Sequence, residues 1–208
     1  MIAIVDYRAG NLTSVQRALN SLGEDSIITN DPHKIKNSER IIFPGVGAAG
    51  KAMRDLREMG LDRILIEAFH EGKPMMGICL GIQIIMEFSE ENNTPCLGLV
   101  KGMVRRFPSK IYGGKRRLKV PHMGWNGLLK IKDHPLLKGL NPASEFYFVH
   151  SYYPVPLDPE TVLAKSEYGI EFASIVGTRN LMAVQFHVEK SGIPGLDILS
   201  NFCNWNGT

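Results

Sequence analysis

The sequence predicts an α/β protein, a three-layer sandwich in which helices cover both faces of a central, mostly parallel, mixed sheet. Three observations lead to this prediction. In the first half of the chain, short apolar runs alternate with helical periodicity, which is typical of βαβ units. Around residue 79 an apolar strand, a turn and an apolar helix follow one another without a break. Beyond about residue 98, extended aromatic or β-branched runs dominate, which predicts an antiparallel extension of the sheet.

The individual elements follow from periodicity and from the positions of glycine and proline. In the first half we predict a strand at 2–6, a helix at 12–22, a strand at 41–43, a glycine-rich turn at 44–50, helices between 51 and 70, a strand at 74–78 and a helix at 80–88. In the second half we predict strands at 145–149 and 181–186 and a helix at 195–204. No internal repeat or low-complexity segment interrupts this order, so the prediction is one domain over residues 1–208.

Composition excludes several classes of function. A chain of 208 residues with 44% hydrophobic residues can bury one sizeable core. Its 24 basic and 21 acidic residues leave a net charge of +3, which gives no electrostatic reason to expect nucleic acid or a membrane surface as a partner. No apolar run approaches the roughly 20 residues that span a bilayer. Small metabolites or other proteins are the expected partners.

The cysteine pattern indicates a reducing compartment. Cys79, Cys96 and Cys203 cannot all pair with one another, and none belongs to a C-x-x-C motif that would suggest zinc or redox chemistry. The sequence begins directly with an apolar strand and lacks the pattern of a signal peptide. We therefore expect a soluble, cytoplasmic protein, and the sequence identifies no metal or tightly bound cofactor.

The run around Gly113-Gly114 predicts a hairpin tip flanked by basic side chains at 115, 116, 117 and 119. A solvated hairpin is the simpler interpretation, because runs of charge are often exposed faces. A contact to a phosphate or to a partner is the alternative.

Gly77-Ile78-Cys79-Leu80-Gly81 has the form of a nucleophile elbow. The two glycines allow a tight strand-to-helix turn that exposes the central side chain. Cys79 would then lie at the N-terminus of a helix, where the unpaired N–H groups and the helix dipole favour a thiolate. The alternative, a buried cysteine that acts as a small hydrophobe, fits Cys96 and Cys203 better, since no glycine punctuation surrounds them.

One turn after Cys79, Gln83 lies on the same face of the predicted helix. A primary amide there can both donate to and accept from a polar substrate. Its neighbours are apolar, so a core glutamine that bonds to backbone is the alternative.

A thiol nucleophile in acyl transfer needs a base, and the base needs a group that orients it. His187 ends the apolar strand at 181–186, and Glu189 follows two residues later, on the same side if the backbone stays extended. The alternative is a partly buried histidine bonded to backbone. For the oxyanion, Leu80 can supply one backbone N–H, and the turn Pro44-Gly45-Val46-Gly47 can supply another, although a plain tight turn would also explain that segment.

Taken in order, the segments 44–47, 77–83 and 187–189 resemble the triad-type, or class I, glutamine amidotransferases. More narrowly, Asp6–Leu12, Pro121–Asn126, Phe148–Tyr152 and His187–Ser191 look like the family of glutaminase subunits of imidazole glycerol phosphate synthase, and the resemblance covers nearly the whole chain. It implies the class I glutamine amidotransferase fold. It also implies that Cys79 forms a glutamyl thioester, releasing ammonia and then glutamate.

The resemblance also assigns residues. It implies that His187 is the general acid and base and that Glu189 orients it. The N–H groups of Val46 and Leu80 would bind the oxyanion. The residues that would hold the substrate glutamine are Gly47, Gln83, Glu91, Ser151 and Tyr152. One departure is Val188, where the family more often has proline; valine keeps the extended preference without fixing φ.

The family's partner is a (β/α)8-barrel cyclase, which uses the ammonia to make imidazole glycerol phosphate for histidine synthesis and an aminoimidazole carboxamide ribotide. The positions that the resemblance places at or near this interface are Asn11, Trp125, Tyr147 and Lys190. The two aromatics could equally be ordinary core or surface residues, and the lysine could be merely solvated.

Three other functions compete. Glutaminases of vitamin B6, anthranilate or guanylate synthesis share the catalytic motifs, but Met123-Gly124-Trp125-Asn126 argues against them. A glutaminase that feeds a surface-sugar synthase could keep all of these motifs. A non-catalytic α/β protein with a redox-sensing cysteine would oxidise at Cys79 without forming a thioester.

Overall fold

The computed structural model describes residues 1–129 and 131–208. The strands are β1 (Ile2–Val5), β2 (Ser26–Thr29), β3 (Arg40–Gly45), β4 (Met75–Cys79), β5 (Phe88–Ser89), β6 (Thr94–Pro95), β7 (Gly102–Arg106), β8 (Tyr112–Gly113), β9 (Arg116–Arg117), β10 (His122–Gly127), β11 (Glu145–His150), β12 (Tyr152–Pro156), β13 (Val162–Glu167), β14 (Glu171–Thr178) and β15 (Leu181–Val184). The α-helices are α1 (Leu12–Ser21), α2 (Pro32–Asn37), α3 (Ala49–Glu58), α4 (Leu61–His70), α5 (Leu80–Ile84) and α6 (Gly192–Asn204).

A seven-stranded sheet forms the centre of the molecule, in the order β13-β14-β15-β4-β3-β1-β2. The pairs from β2 through β15 are parallel, and β14 and β13 continue the sheet in antiparallel register. The predicted mixed, mostly parallel sheet with an antiparallel extension is therefore confirmed. Strands from both halves of the chain share this sheet.

Alternate side chains of the central strands face two separate cores, as the pleat requires. On β1, Ile2 and Ile4 pack into the core that α1 and α6 cover. Ala3 and Val5 pack into the core on the opposite face, which α3, α4 and α5 cover. Helices therefore cover both faces of the sheet, and the predicted three-layer arrangement is correct.

The described residues form three smaller sheets outside the central one: β12-β7-β5-β6, the antiparallel pair β10-β11, and the hairpin β8-β9. The predicted hairpin is present, but its two-residue turn is Gly114-Lys115, one position later than predicted, because Gly113 still pairs with Arg116. Arg116 and Arg117 are exposed, in agreement with the solvated interpretation. In the described part of the chain, no helix is long and apolar enough to cross a membrane.

The helix predicted at 80–88 is wrong in length, because α5 ends at Ile84. The carbonyl groups of Ile84, Ile85 and Met86 accept hydrogen bonds from the loop at 97–100 instead of from later residues of a helix. Residues 80–86 are all buried, so their apolar sequence has no periodicity that marks where the helix ends.

Candidate active site

Cys79 lies at the turn between β4 and α5, and its side chain is 6% exposed. Its backbone has φ 56° and ψ −99°, a conformation that non-glycine residues rarely adopt. A residue held in this way is typical of a nucleophile elbow. Because α5 begins at Leu80, the first unpaired N–H groups of the helix lie directly beside the thiol.

The glycines of the elbow are required by close packing. A Cβ atom on Gly77 would lie 3.0 Å from both Ala183 and the ring of Phe43. A Cβ atom on Gly81 would lie 2.5 Å from the carbonyl oxygen of Phe43. The elbow can therefore approach β3 and β15 only with glycine at these positions.

Gly81→Ala is expected to lower the free energy of unfolding by roughly 1–3 kcal/mol, the usual cost of overpacking. Helix propensity alone would favour alanine, so a loss isolates the steric contact with Phe43. Gly127→Ala is the matched control, because the nearest atom would lie 3.9 Å from its new Cβ. Denaturant unfolding measures both variants, and equal stability of the two would contradict this account of the elbow.

His187 and Glu189 form a buried pair, with 2.7 Å between Nδ1 and Oε1. Their side chains are 1% and 0% exposed. The backbone is extended at His187 but enters a 3₁₀ turn at Val188–Lys190. The premise of a continuous extended backbone is therefore wrong, and the 3₁₀ turn, not strand alternation, brings the two side chains together.

Val188, which stands where proline is more usual, is fully buried. The turn around it is held by Lys190 N donating to the carbonyl of His187 at 3.0 Å and by Ser191 Oγ donating to the same carbonyl at 2.6 Å. His187 N also donates to the carbonyl of Tyr147 at 2.9 Å. Packing and hydrogen bonds therefore hold the turn without the ring of proline.

The imidazole of His187 lies between Glu189 and Cys79. Burial lowers the pKa of His187, but its interactions with Cys79 and Glu189 outweigh burial and raise the pKa from 6.5 to about 9. Its second ring nitrogen, Nε2, is buried without a hydrogen bond of normal geometry among the described residues. A thiol, an imidazole and a carboxylate are thus aligned in the order that nucleophilic acyl transfer requires.

Asn11, which the resemblance places at the partner interface, lies against this pair. Its Nδ2 donates to Glu189 Oε1 and is 3.3 Å from His187 Nδ1. Asn11 precedes α1 in a left-handed conformation with φ 79°. The sequence spacing of 176 residues between Asn11 and His187 gives no sign of this contact.

A cavity of about 350 Å³ opens beside Cys79 and His187. All seven residues that the resemblance assigns to the oxyanion or the substrate line it: Val46, Gly47, Leu80, Gln83, Glu91, Ser151 and Tyr152. Pro121, Val149 and His150 also line the cavity and were not predicted. All three belong to the segments Pro121–Asn126 and Phe148–Tyr152, whose resemblance to the family was the signal that could have indicated them.

The turn Pro44-Gly45-Val46-Gly47 leaves β3 beside the nucleophile, because Gly45 pairs with Cys79 in the parallel register of β3 and β4. Gly47 has φ 98°, which favours glycine. This turn lies on the cavity wall next to the start of α5.

Two polar side chains of the cavity are anchored by backbone groups. Gln83 is 5% exposed, and its Nε2 donates to the carbonyl of Tyr152 at 3.1 Å. Gln83 is therefore bonded to backbone, as the alternative interpretation expected, and its side chain also lines the cavity. The carboxylate of Glu91 accepts from the backbone N–H of Ala49 at 2.7 Å, which connects the cavity to the start of α3.

Trp125 and Tyr147 lie opposite one another on β10 and β11. Their rings meet edge to face, with centroids 5.9 Å apart. Trp125 is 53% exposed, which excludes the interpretation as a core aromatic. Lys190 is also exposed.

Comparisons with known families and proteins identify the relatives of this chain. The family model for class I glutamine amidotransferases matches residues 3–205. The chain is 51% identical over 203 residues to the imidazole glycerol phosphate synthase subunit HisH of Nitratidesulfovibrio vulgaris strain DP4, covering 97% of this chain and 95% of that protein. It is 44% identical over 209 residues to the HisH subunit of Nitrosococcus oceani, covering 99% of this chain and 98% of that protein.

Solved structures show the same fold at low identity. PurLQS from Thermotoga maritima superposes with a TM-score of 0.71 at 20% identity, over 98% of this chain and 97% of that one. The glutaminase domain of Trypanosoma brucei CTPS superposes with a TM-score of 0.67 at 16% identity, over 98% of this chain and 93% of that one. With the family match and the curated relatives, these findings show that the chain belongs to the class I glutamine amidotransferases, in the family of HisH subunits of imidazole glycerol phosphate synthase.

Proposed function

We propose that this glutaminase works through a thioester on Cys79. The observation that carries the proposal is that the strained Cys79 turn, the His187–Glu189 pair and the polar walls of the cavity converge on one space of about 350 Å³. Such a cavity is large enough for a single amino acid and places acceptors and donors around it.

In the proposed first half-reaction, the thiolate of Cys79 attacks the carboxamide carbon of glutamine. The negative charge moves to the oxygen, which backbone N–H groups of Leu80 and Val46 bind. His187, whose pKa of about 9 keeps it protonated at neutral pH, gives its proton to the leaving nitrogen. Ammonia departs and a glutamyl thioester remains.

In the second half-reaction, neutral His187 takes a proton from a water molecule that attacks the thioester. The tetrahedral intermediate collapses and expels the thiolate of Cys79, which releases glutamate. Glu189 keeps Nδ1 of the imidazole occupied through both steps, so Nε2 alone exchanges the proton. In this scheme Gly47, Gln83, Glu91, Ser151 and Tyr152 hold the glutamine.

We further propose that the ammonia passes to a (β/α)8-barrel cyclase subunit that docks over Asn11, Trp125, Tyr147 and Lys190. Channelling has a chemical reason, since ammonia at neutral pH is mostly protonated and then not nucleophilic. The exposed ring of Trp125, packed edge to face on the half-buried Tyr147, supports this surface, because Trp and Tyr side chains often dominate the binding energy of protein interfaces. The direct contact of Asn11 with Glu189 connects the same surface to the catalytic pair.

The whole chain is proposed to act as one domain in the cytoplasm. Strands from both halves build the central sheet, which supports a single unit. The three cysteines are free, which suits a reducing compartment.

Release of glutamate from glutamine by the purified chain, with and without the barrel cyclase and its nucleotide ligand, tests the partner. We expect strong stimulation when both are present. No stimulation, with Cys79 still labelled by a glutamine-like electrophile, would indicate a different ammonia acceptor such as a surface-sugar synthase.

Trp125→Ala is expected to weaken cyclase binding by roughly 2 kcal/mol or more, as for a central aromatic of an interface. Tyr112→Ala is the matched control, because Tyr112 is 51% exposed on the separate β8-β9 hairpin. Calorimetric titration measures both, and equal affinities would place the docking surface elsewhere.

A further inference from the structure

Two buried histidines stand at the wall of the cavity and have no part in the proposed chemistry. His122 and His150 are 2% and 5% exposed and stand opposite one another on β10 and β11. His150 lines the cavity, and His122 lies behind it. The distance from Nδ1 of His122 to Nε2 of His150 is 3.0 Å.

The hydrogen bond between His150 and the carbonyl of Tyr152 determines which ring nitrogens of the two histidines carry protons. Nδ1 of His150 lies 2.8 Å from the carbonyl oxygen of Tyr152, which can only accept, so this nitrogen carries the proton. In a neutral imidazole the other nitrogen is then an acceptor. Nε2 of His150 must therefore accept from Nδ1–H of His122.

The contacts of Asn126 with His122 lead independently to the same assignment of protons. The amide oxygen of Asn126 accepts from Gly127 N at 2.9 Å, and its Nδ2 donates to the carbonyl of Glu167 at 2.8 Å. These contacts orient the amide so that Nδ2 faces Nε2 of His122 at 3.4 Å. Nε2 must be the acceptor there, so His122 also carries its proton on Nδ1.

The surroundings keep both rings neutral. Burial lowers the pKa of His122 to about 4. It lowers the pKa of His150 to about 3, against a raising effect of the Tyr152 carbonyl. Tyr168 stacks on His122 with centroids 4.0 Å apart, and Phe172 packs against His150 at 5.1 Å.

The chain of hydrogen bonds ends on the segment that would bind glutamine. The carbonyl of Tyr152 accepts from both His150 Nδ1 and Gln83 Nε2, at 2.8 and 3.1 Å. Ser151 and Tyr152 line the cavity at the junction of β11 and β12. Two donors on one carbonyl hold the backbone of Tyr152 in a fixed position at the edge of the cavity.

We propose that His122 and His150 are positioning residues whose paired neutral rings hold the carbonyl of Tyr152, and with it the glutamine-binding wall, in place. The proposal rests on the glutaminase function proposed above and deepens it. It also connects the wall to β10, the strand that carries Trp125.

Nitrogen NMR of the full-length chain labelled with ¹⁵N-histidine tests the geometry without any activity. Both histidines are expected in the Nδ1–H form, with Nε2 unprotonated, and His122→Phe assigns the signals. An Nε2–H form or a charged ring at either position near neutral pH would overturn the proposal.

Steady-state kinetics of the chain in complex with the cyclase test whether the histidine pair supports glutamine binding. His150→Leu removes the donor to Tyr152 and is expected to raise KM for glutamine by ~2- to 10-fold, the value of one hydrogen bond, with a smaller change in kcat. His150→Asn, which keeps an N–H donor near the position of Nδ1, is expected to restore much of the affinity. His122→Phe keeps a ring but removes the donor to His150, and should act in the same direction.

Phe172→Leu is the matched control, since Phe172 packs against His150 outside the hydrogen-bond chain. It is expected to lower the unfolding temperature with KM unchanged. If the histidine variants behave like Phe172→Leu, the pair has only a packing role and the proposal is wrong. A wild-type chain without glutaminase activity would instead contradict the proposed function, and the NMR result would stand apart from it.

Discussion

Cys79→Ala abolishes glutamine hydrolysis, with an expected loss of roughly 10⁴-fold or more, comparable to removal of a serine nucleophile from a triad. The physical reason is that, among the described residues lining the cavity, Cys79 alone carries a thiol, and it directly precedes the N-terminus of α5. Glutamate release by the purified variant with its cyclase measures the effect. The fold and cyclase binding are expected to remain intact, because alanine also fits a small buried position.

Cys96→Ala is the matched control for this variant. Cys96 is partly buried, and its thiol donates to the carbonyl of Thr94, two residues away, at 3.5 Å. We expect full activity, and we expect a glutamine-like electrophile to label Cys79 in competition with glutamine. A Cys79→Ala variant that keeps most of its activity would eliminate the thioester mechanism.

His187→Asn is expected to lower turnover by ~10²- to 10⁴-fold, the usual contribution of a general acid and base. Asparagine can still bond to Glu189 but cannot carry a proton between the leaving nitrogen and water. His70→Asn on α4 is the control, since His70 lies outside the active-site cavity. Normal turnover of His187→Asn would show that another histidine is the base.

The stability of the same variant gives a second measurement. The folded-state pKa of His187, about 9, exceeds its ordinary value of 6.5, so protonation of this group favours the folded state. That contribution is complete below pH 6.5 and is lost as the pH rises through about 9. The unfolding free energy of the wild type should therefore fall between neutral pH and pH 9 relative to that of His187→Asn. A constant difference over this range would contradict the raised pKa.

The turn around Cys79 could be predicted because the residues that form it are neighbours in the sequence. The elbow around Cys79 depends on glycines two residues away and on a strand that meets a helix, and all of these are adjacent in the sequence. The alternation of apolar strands and helices likewise predicts layers on both faces of a sheet, since side-chain direction repeats with a fixed period. For the same reason the three-layer fold and its antiparallel extension were predicted correctly.

The structure differs from the sequence-based prediction where distant segments compete for the same backbone groups. The end of α5 at Ile84 depends on the loop at 97–100, which takes the carbonyl groups that a longer helix would use. The His187–Glu189 distance depends on a 3₁₀ turn that hydrogen bonds from Lys190 and Ser191 stabilise. Such contacts leave no periodic signal in the local sequence.

The amino-acid sequence was sufficient to predict the strand-turn-helix elbow around Cys79 and the layered fold, because each arises from short-range backbone geometry and hydrophobic periodicity. Tertiary packing was needed for the contact between Asn11 and Glu189, for the paired rings of His122 and His150, and for their hold on Tyr152. These contacts join residues on separate elements, 28 and 178 positions apart for the histidine pair and for Asn11–Glu189. Their geometry is set by strand order and register, which only the assembled sheet defines.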